Sequence, residues 1–186
     1  MALITEERLA ELWPASPLKD RVALVTGCGR TNGIGAGCVR VLAAAGAAVI
    51  ATDIEPSGAR GDYLGPELEA HASYGLPALV SDLRASGAEA DSVTGDVTSE
   101  ADARGMVNHA VDTFGKLDIL VNVAAAPHGS EWGEIDDVPV ADWDRVLAVA
   151  GRGTFLMSRA AAPGMREQRW GRIVNISSVS AKAGRR

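Results

Sequence analysis

Two features of this sequence combine residue types and spacings that could do chemistry. The first is the run Thr26-Gly27-Cys28-Gly29-Arg30-Thr31-Asn32-Gly33-Ile34-Gly35. Glycines permit a tight turn and a close backbone approach. A helix that starts at the end of such a run offers unpaired N–H groups and a partial positive charge to a phosphate. The second is Asp53, which closes the apolar run Ala47 to Thr52. A carboxylate there can accept hydrogen bonds from the hydroxyls of an adenosine ribose, and its charge repels a 2′-phosphate. Together they read as a dinucleotide site that takes NAD rather than NADP. Arg30 is the counterweight, since it could grip that phosphate.

Such residues must be held by strands and helices in a set order. Val22 to Val25 is a buried strand stopped by Gly27, and Gly33 to Ala45 has helical character. Ala47 to Thr52 is a second strand. Residues 55 to 76 read as an insertion, and Pro77 to Ser86 as a helix with proline tolerated in its first turn. Ala90 to Thr94 is a third strand. Ser99 caps a helix to about Phe114, with Glu100 and Asp102 at its positive end. Leu117 to Val123 and Arg172 to Ile176 are the fourth and fifth strands. Between them runs a long helix, Val140 to Glu167, bent at Gly151 and Gly153. Thr5 to Trp13 reads as a short amphipathic helix in an N-terminal extension, residues 1–18, outside the domain of residues 19–186. This alternation implies an α/β fold, a Rossmann-like doubly wound parallel sheet in three layers. Its ligand belongs outside the carboxyl ends of the strands.

Composition agrees with one soluble domain. Of the 186 residues 47% are hydrophobic, 23% charged and 4% aromatic, so the core is built from Ala, Val, Leu and Ile. A net charge of -6, from 24 acidic and 18 basic residues, argues against nucleic acid and against anionic membranes as partners. Cys28 and Cys38 make no disulfide framework and no metal spacing. No signal peptide is read at the N-terminus, and a cytoplasmic location is expected.

Several motifs in order carry a family resemblance. TGCGRTNGIG, the Asp53 strand end, Gly95-Asp96-Val97, LDILVN (residues 117–122) and GRIVNISS (residues 171–178) resemble the short-chain dehydrogenases/reductases from about Lys19 to Ala183. The resemblance implies hydride transfer between NAD(H) and an alcohol or ketone. Carried onto this chain, the phosphate loop comprises Gly27, Gly29, Arg30, Gly33, Ile34 and Gly35. The first motif glycine is either Gly29, which keeps the usual spacing, or Gly27 with two residues inserted. Asp53 and Ile54 fall at the ribose, Asp96 and Val97 at the adenine, and Asn122 and Ala124 beside the cofactor. Ser178 matches the catalytic serine that bonds the substrate oxygen. The insertion is similar to that of a subgroup that tends to bury its NAD.

The chain also departs from the family pattern. The family's helix asparagine is replaced by Ala150, and Asn122 is followed by Val123-Ala124-Ala125 instead of Asn-Ala-Gly. Neither tyrosine, Tyr63 or Tyr74, has a lysine four residues on, and Lys182 has no tyrosine four residues before it. The resemblance therefore implies a chain truncated before its Tyr-X-X-X-Lys. His128 is a weak substitute base, His71 and His109 read as surface positions, and Cys28 is an unlikely nucleophile. A catalytically incomplete NAD-binding pseudoenzyme or partner-dependent subunit is the alternative function. Without further strands the fifth becomes an open edge, so a homo-oligomer or a covering partner is expected.

Overall fold

The apolar runs form strands because β-branched and aliphatic side chains fit a sheet covered on both faces. The computed structural model describes residues 16–58, 75–126 and 134–178. Within these, the elements are β1 (Val22–Thr26), α1 (Ile34–Ala44), β2 (Ala48–Asp53), α2 (Gly75–Ala85), β3 (Ala90–Thr94), α3 (Glu100–Phe114), β4 (Ile119–Asn122), α4 (Val140–Leu147), α5 (Thr154–Glu167) and β5 (Arg172–Asn175). The expected extension helix at residues 5–13, most of the insertion, and His71, His128, Tyr63, Tyr74 and Lys182 lie outside the described residues. The insertion was expected to reach Leu76, but α2 begins at Gly75, so Pro77 sits in its first turn.

All pairings are parallel, in the order β3-β2-β1-β4-β5. The chain runs outward from β1 through β2 to β3, then crosses back to place β4 on the other side of β1. The register aligns Thr26 with Thr52, Asp53 with Thr94, and Asn122 with Asn175. The carboxyl ends of the strands therefore form one shared rim.

Alternation along each strand sorts the core into two halves. Ala23, Val25, Val49, Ala51 and Val121 face α1 and α2 through Val39, Leu79 and Leu83. Leu24, Ile50 and Leu120 face α3 and α5 through Met106, Leu156 and Met157. The fold is an α/β doubly wound sheet, as expected.

Two local features position the rim. Ser99 Oγ accepts the Asp102 N–H and starts α3, and Gly115 ends it at φ +83°. The expected bend in the long helix is a π-helical segment, Ala148–Gly153, between α4 and α5. A Cβ on Gly153 would come 2.7 Å from Val97 Cγ2, so only glycine lets the helix seat this closely on the loop after β3. β5 is the last strand of the sheet among the described residues and is exposed along its length, with Ile173 and Val174 open to solvent.

At the opposite end of the sheet, Asp118 anchors the start of β4. Its buried carboxylate accepts the Val22 N–H at 2.9 Å and pairs with Arg21 and Lys116, each at 3.0 Å. Arg21 in turn lies over the Trp170 ring, 3.7 Å from its centroid. Burial pushes this carboxyl up, and the hydrogen bonds from Lys116, Val22 and Arg21 outweigh it, holding it below the ordinary value.

Candidate dinucleotide site

A cleft of about 490 Å³ opens at the carboxyl rim where β1 meets β2 and β4, the point at which the strand order reverses. Gly27 lies directly after β1 at φ +74°, a conformation that favours glycine, and lines the cleft. A Cβ on it would meet the Ala124 backbone at 3.0 Å. Gly33 follows, in extended conformation, as the residue that opens α1. No side chain caps that helix, so its first N–H groups are left for a ligand at the cleft. Ile34 lines the cleft with 63% of its surface exposed, and Arg30 lines it beside the turn.

Gly29 and Gly35 act one layer further out. A Cβ on Gly35 would come 2.2 Å from the Gly27 carbonyl oxygen, and one on Gly29 2.3 Å from Gly58. Neither lines the cleft. Of the two, Gly27 makes the turn at the cleft, and Gly29 packs against Gly58.

Asp53 stands at the end of β2, lining the cleft with Ile54. Its Oδ2 accepts the Gly29 N–H and its Oδ1 the Ile54 N–H, both at 2.8 Å. Each oxygen of a carboxylate has about two acceptor positions, so capacity remains for two further donors. Asp96 and Val97 form the far wall. Asp96 Oδ1 accepts the N–H and hydroxyl of Thr98, both at 2.8 Å, so this carboxylate shapes its own turn.

Ala124 lines the cleft, and its N–H donates to Thr26 Oγ1 at 3.0 Å, as does that of Val123. Thr26 thereby ties the end of β1 to the segment after β4. Sequence reasoning missed it, together with Thr52, Thr98, Arg145, Ala148 and Val149, which also line the cleft. Strand-end alignment would have flagged the two threonines at Thr26 and Thr52. Arg145, Ala148 and Val149 are three and four residues apart, the spacing of one helix face.

Two further expected site residues lie elsewhere. Asn122 is buried behind the rim rather than lining the cleft, because its Nδ2 donates to Asn175 Oδ1 at 2.9 Å and Ser158 Oγ at 3.3 Å. Ser178 is exposed beyond β5 and does not line the cleft. Ala150 is exposed on the π-helical segment. His109, expected at the surface, is half-buried and pairs with Asp91 Oδ2 at 3.0 Å.

Cys28 is buried, and its thiol donates to the Val25 carbonyl. Burial pushes that thiol far above its ordinary range, which removes it as a nucleophile. Among the described residues no group of three His, Cys, Asp or Glu could hold a metal, and no helix is long and apolar enough to cross a membrane.

Comparison with known proteins agrees with this geometry. A sequence model described as short chain dehydrogenase matches residues 70–186. The chain is 34% identical over 161 residues to a (2S)-[(R)-hydroxy(phenyl)methyl]succinyl-CoA dehydrogenase subunit of Thauera aromatica, covering 87% of this chain and 56% of that protein. It is 35% identical over 163 residues to the D-beta-hydroxybutyrate dehydrogenase of Cupriavidus necator, covering 87% and 54%. To the peroxisomal multifunctional enzyme type 2 of Mus musculus it is 36% identical over 172 residues, covering 91% and 21%. The chain thus spans about half the length of the first two relatives. On the sheet order, the rim cleft and these matches, the chain belongs to the short-chain dehydrogenases/reductases.

Proposed function

We propose that this chain binds NAD(H) in the rim cleft and serves an oxidoreductase that transfers a hydride between that cofactor and an alcohol or ketone. One observation carries the reading: the Asp53 carboxylate, with acceptor capacity to spare, faces the same cleft as Gly27 and the uncapped start of α1. The residues fit the group. The Gly27 and Gly33 backbone and the α1 N–H groups suit a pyrophosphate, Asp53 suits ribose hydroxyls, and Asp96 and Val97 border the space left for an adenine. Asp53 disfavours a 2′-phosphate by charge, which selects NAD over NADP. When bound, the nicotinamide supplies the hydride donor or acceptor. The dehydrogenase names of two relatives support an alcohol or ketone as the class of substrate.

A second reading, NAD binding without turnover, is favoured by Ala150, exposed on the π-helical segment where the family carries asparagine. Titration calorimetry separates cofactor binding from its absence, and NADH absorbance with a panel of alcohols and ketones separates the two readings. Binding with turnover supports the first reading, and binding without turnover the second. The same proposal includes a homo-oligomer or a partner over the β5 edge, since Ile173, Val174 and Ile176 are open there. It also includes a reducing, cytoplasmic setting, which suits the free thiols Cys28 and Cys38.

A further inference from the structure

The glycine loop makes a contact that the cleft itself does not require. Gly29 and Gly58 meet backbone to backbone: a Cβ on Gly29 would fall 2.3 Å from Gly58 N and Cα, and one on Gly58 3.0 Å from Gly29 Cα. Gly58 holds φ +79°, which a side chain would also strain. The turn containing Gly58 is braced on its other side as well. Leu76 N–H donates to the Pro56 carbonyl at 2.7 Å, and Gly75 packs so closely on that oxygen that a Cβ would reach 2.3 Å. Residues 56–58 and 75–76 are thus pinned together beside Asp53. Held against this brace, Gly29 directs its N–H to Asp53 Oδ2.

We propose that Gly29 and Gly58 form a backbone lock that orients the Asp53 carboxylate and thereby sets the selectivity of the cleft for a ribose diol over a ribose 2′-phosphate. The lock's role in selectivity rests on the NAD reading above. A carboxylate held by one backbone donor per oxygen keeps its remaining acceptor positions in fixed directions, where two hydroxyls can donate to them. A 2′-phosphate brings acceptors and negative charge, and the two N–H groups that could have met it are already committed to Asp53. Freed from the lock, Asp53 could swing away and those N–H groups would become available. Gly29 and Gly58 are positioning residues, acting through Asp53.

The test measures the affinities of the purified chain for NAD and NADP by calorimetry in wild type, Gly58→Ala, Asp53→Ala and the double variant, with Gly37→Ala as control. A Cβ on Gly37 would meet nothing within 4 Å outside its own helix backbone. Gly58→Ala is expected to weaken NAD roughly tenfold, the scale of one charge-assisted hydrogen bond, while NADP changes little. In the Asp53→Ala background the same change should add nothing. Equal weakening of both nucleotides, or additive effects in the double variant, overturns the lock. Wild type binding neither nucleotide instead fails the cofactor reading, and the lock's role in selectivity with it. Amide exchange keeps the lock itself testable if Gly58→Ala does not fold. The Gly29 N–H should be protected in the ligand-free wild type and exchange faster in Asp53→Ala. Fast exchange in wild type would overturn the contact.

Discussion

Gly35 lies directly against the carbonyl of Gly27, so that a Cβ on Gly35 would come 2.2 Å from the oxygen and 2.7 Å from its carbon. Both partners are backbone and neither can rotate away. The first turn of α1 and the turn after β1 therefore hold each other in place. Gly35→Ala should cost about 1–3 kcal/mol through overpacking and should also abolish nucleotide binding. Gly37→Ala, one turn-face away with nothing within 4 Å, should be neutral or slightly stabilising. Denaturant titration of the two variants checks both outcomes.

Thr26 joins β1 to the cleft wall with one oxygen that accepts two N–H groups. Thr26→Val keeps the shape and removes the acceptor, leaving the Val123 and Ala124 N–H groups without it. A loss of roughly 1–3 kcal/mol is expected. The Val123 and Ala124 amides should exchange faster, which hydrogen exchange would register.

Much of this architecture was legible in the sequence. Val22–Val25 and Ala47–Thr52 are apolar runs too short for helices, and Ser99 with Asp102 three residues on marks a helix start. What stayed open depends on contacts distant in sequence. Gly27 and Gly29 tolerate the same backbone angles, and their different surroundings, Ala124 for one and Gly58 for the other, are contacts distant in sequence. Asn122 departs from its expected place beside the cleft because Ser158 and Asn175, 36 and 53 residues away, capture its amide. Ser178 carries the family motif and lies exposed beyond β5, outside the cleft. A bend at Gly151 and Gly153 is readable, but not its π-helical form or the close seat of Gly153 on Val97.

Asp118 makes stability depend on acid. Its carboxyl is held below the ordinary value of about 3.9, so its stabilisation is present above that pH and is lost as pH falls through the depressed folded value. Asp118→Asn should cost roughly 2 kcal/mol at pH 7 by removing charge-assisted bonds to Arg21 and Lys116. The gap between variant and wild type should shrink as pH falls below the ordinary carboxyl value of about 3.9. A gap that is the same at pH 7 and in strong acid would contradict the assignment.

Cys28 should resist alkylation in the native chain, because burial raises its thiol and the Val25 carbonyl holds it. Mass spectrometry after brief treatment with iodoacetamide at neutral pH should find Cys28 unmodified. Modification should follow only on unfolding.

The central claim is that the rim cleft is a site for NAD organised around Asp53. Calorimetric titration of the purified chain with NAD and with NADP, repeated on Asp53→Ala, tests it most directly. Saturable binding of NAD, weaker binding of NADP, and a loss of NAD affinity of roughly tenfold or more in the variant are expected. Absence of binding by either nucleotide, or NADP bound more tightly than NAD, would contradict it.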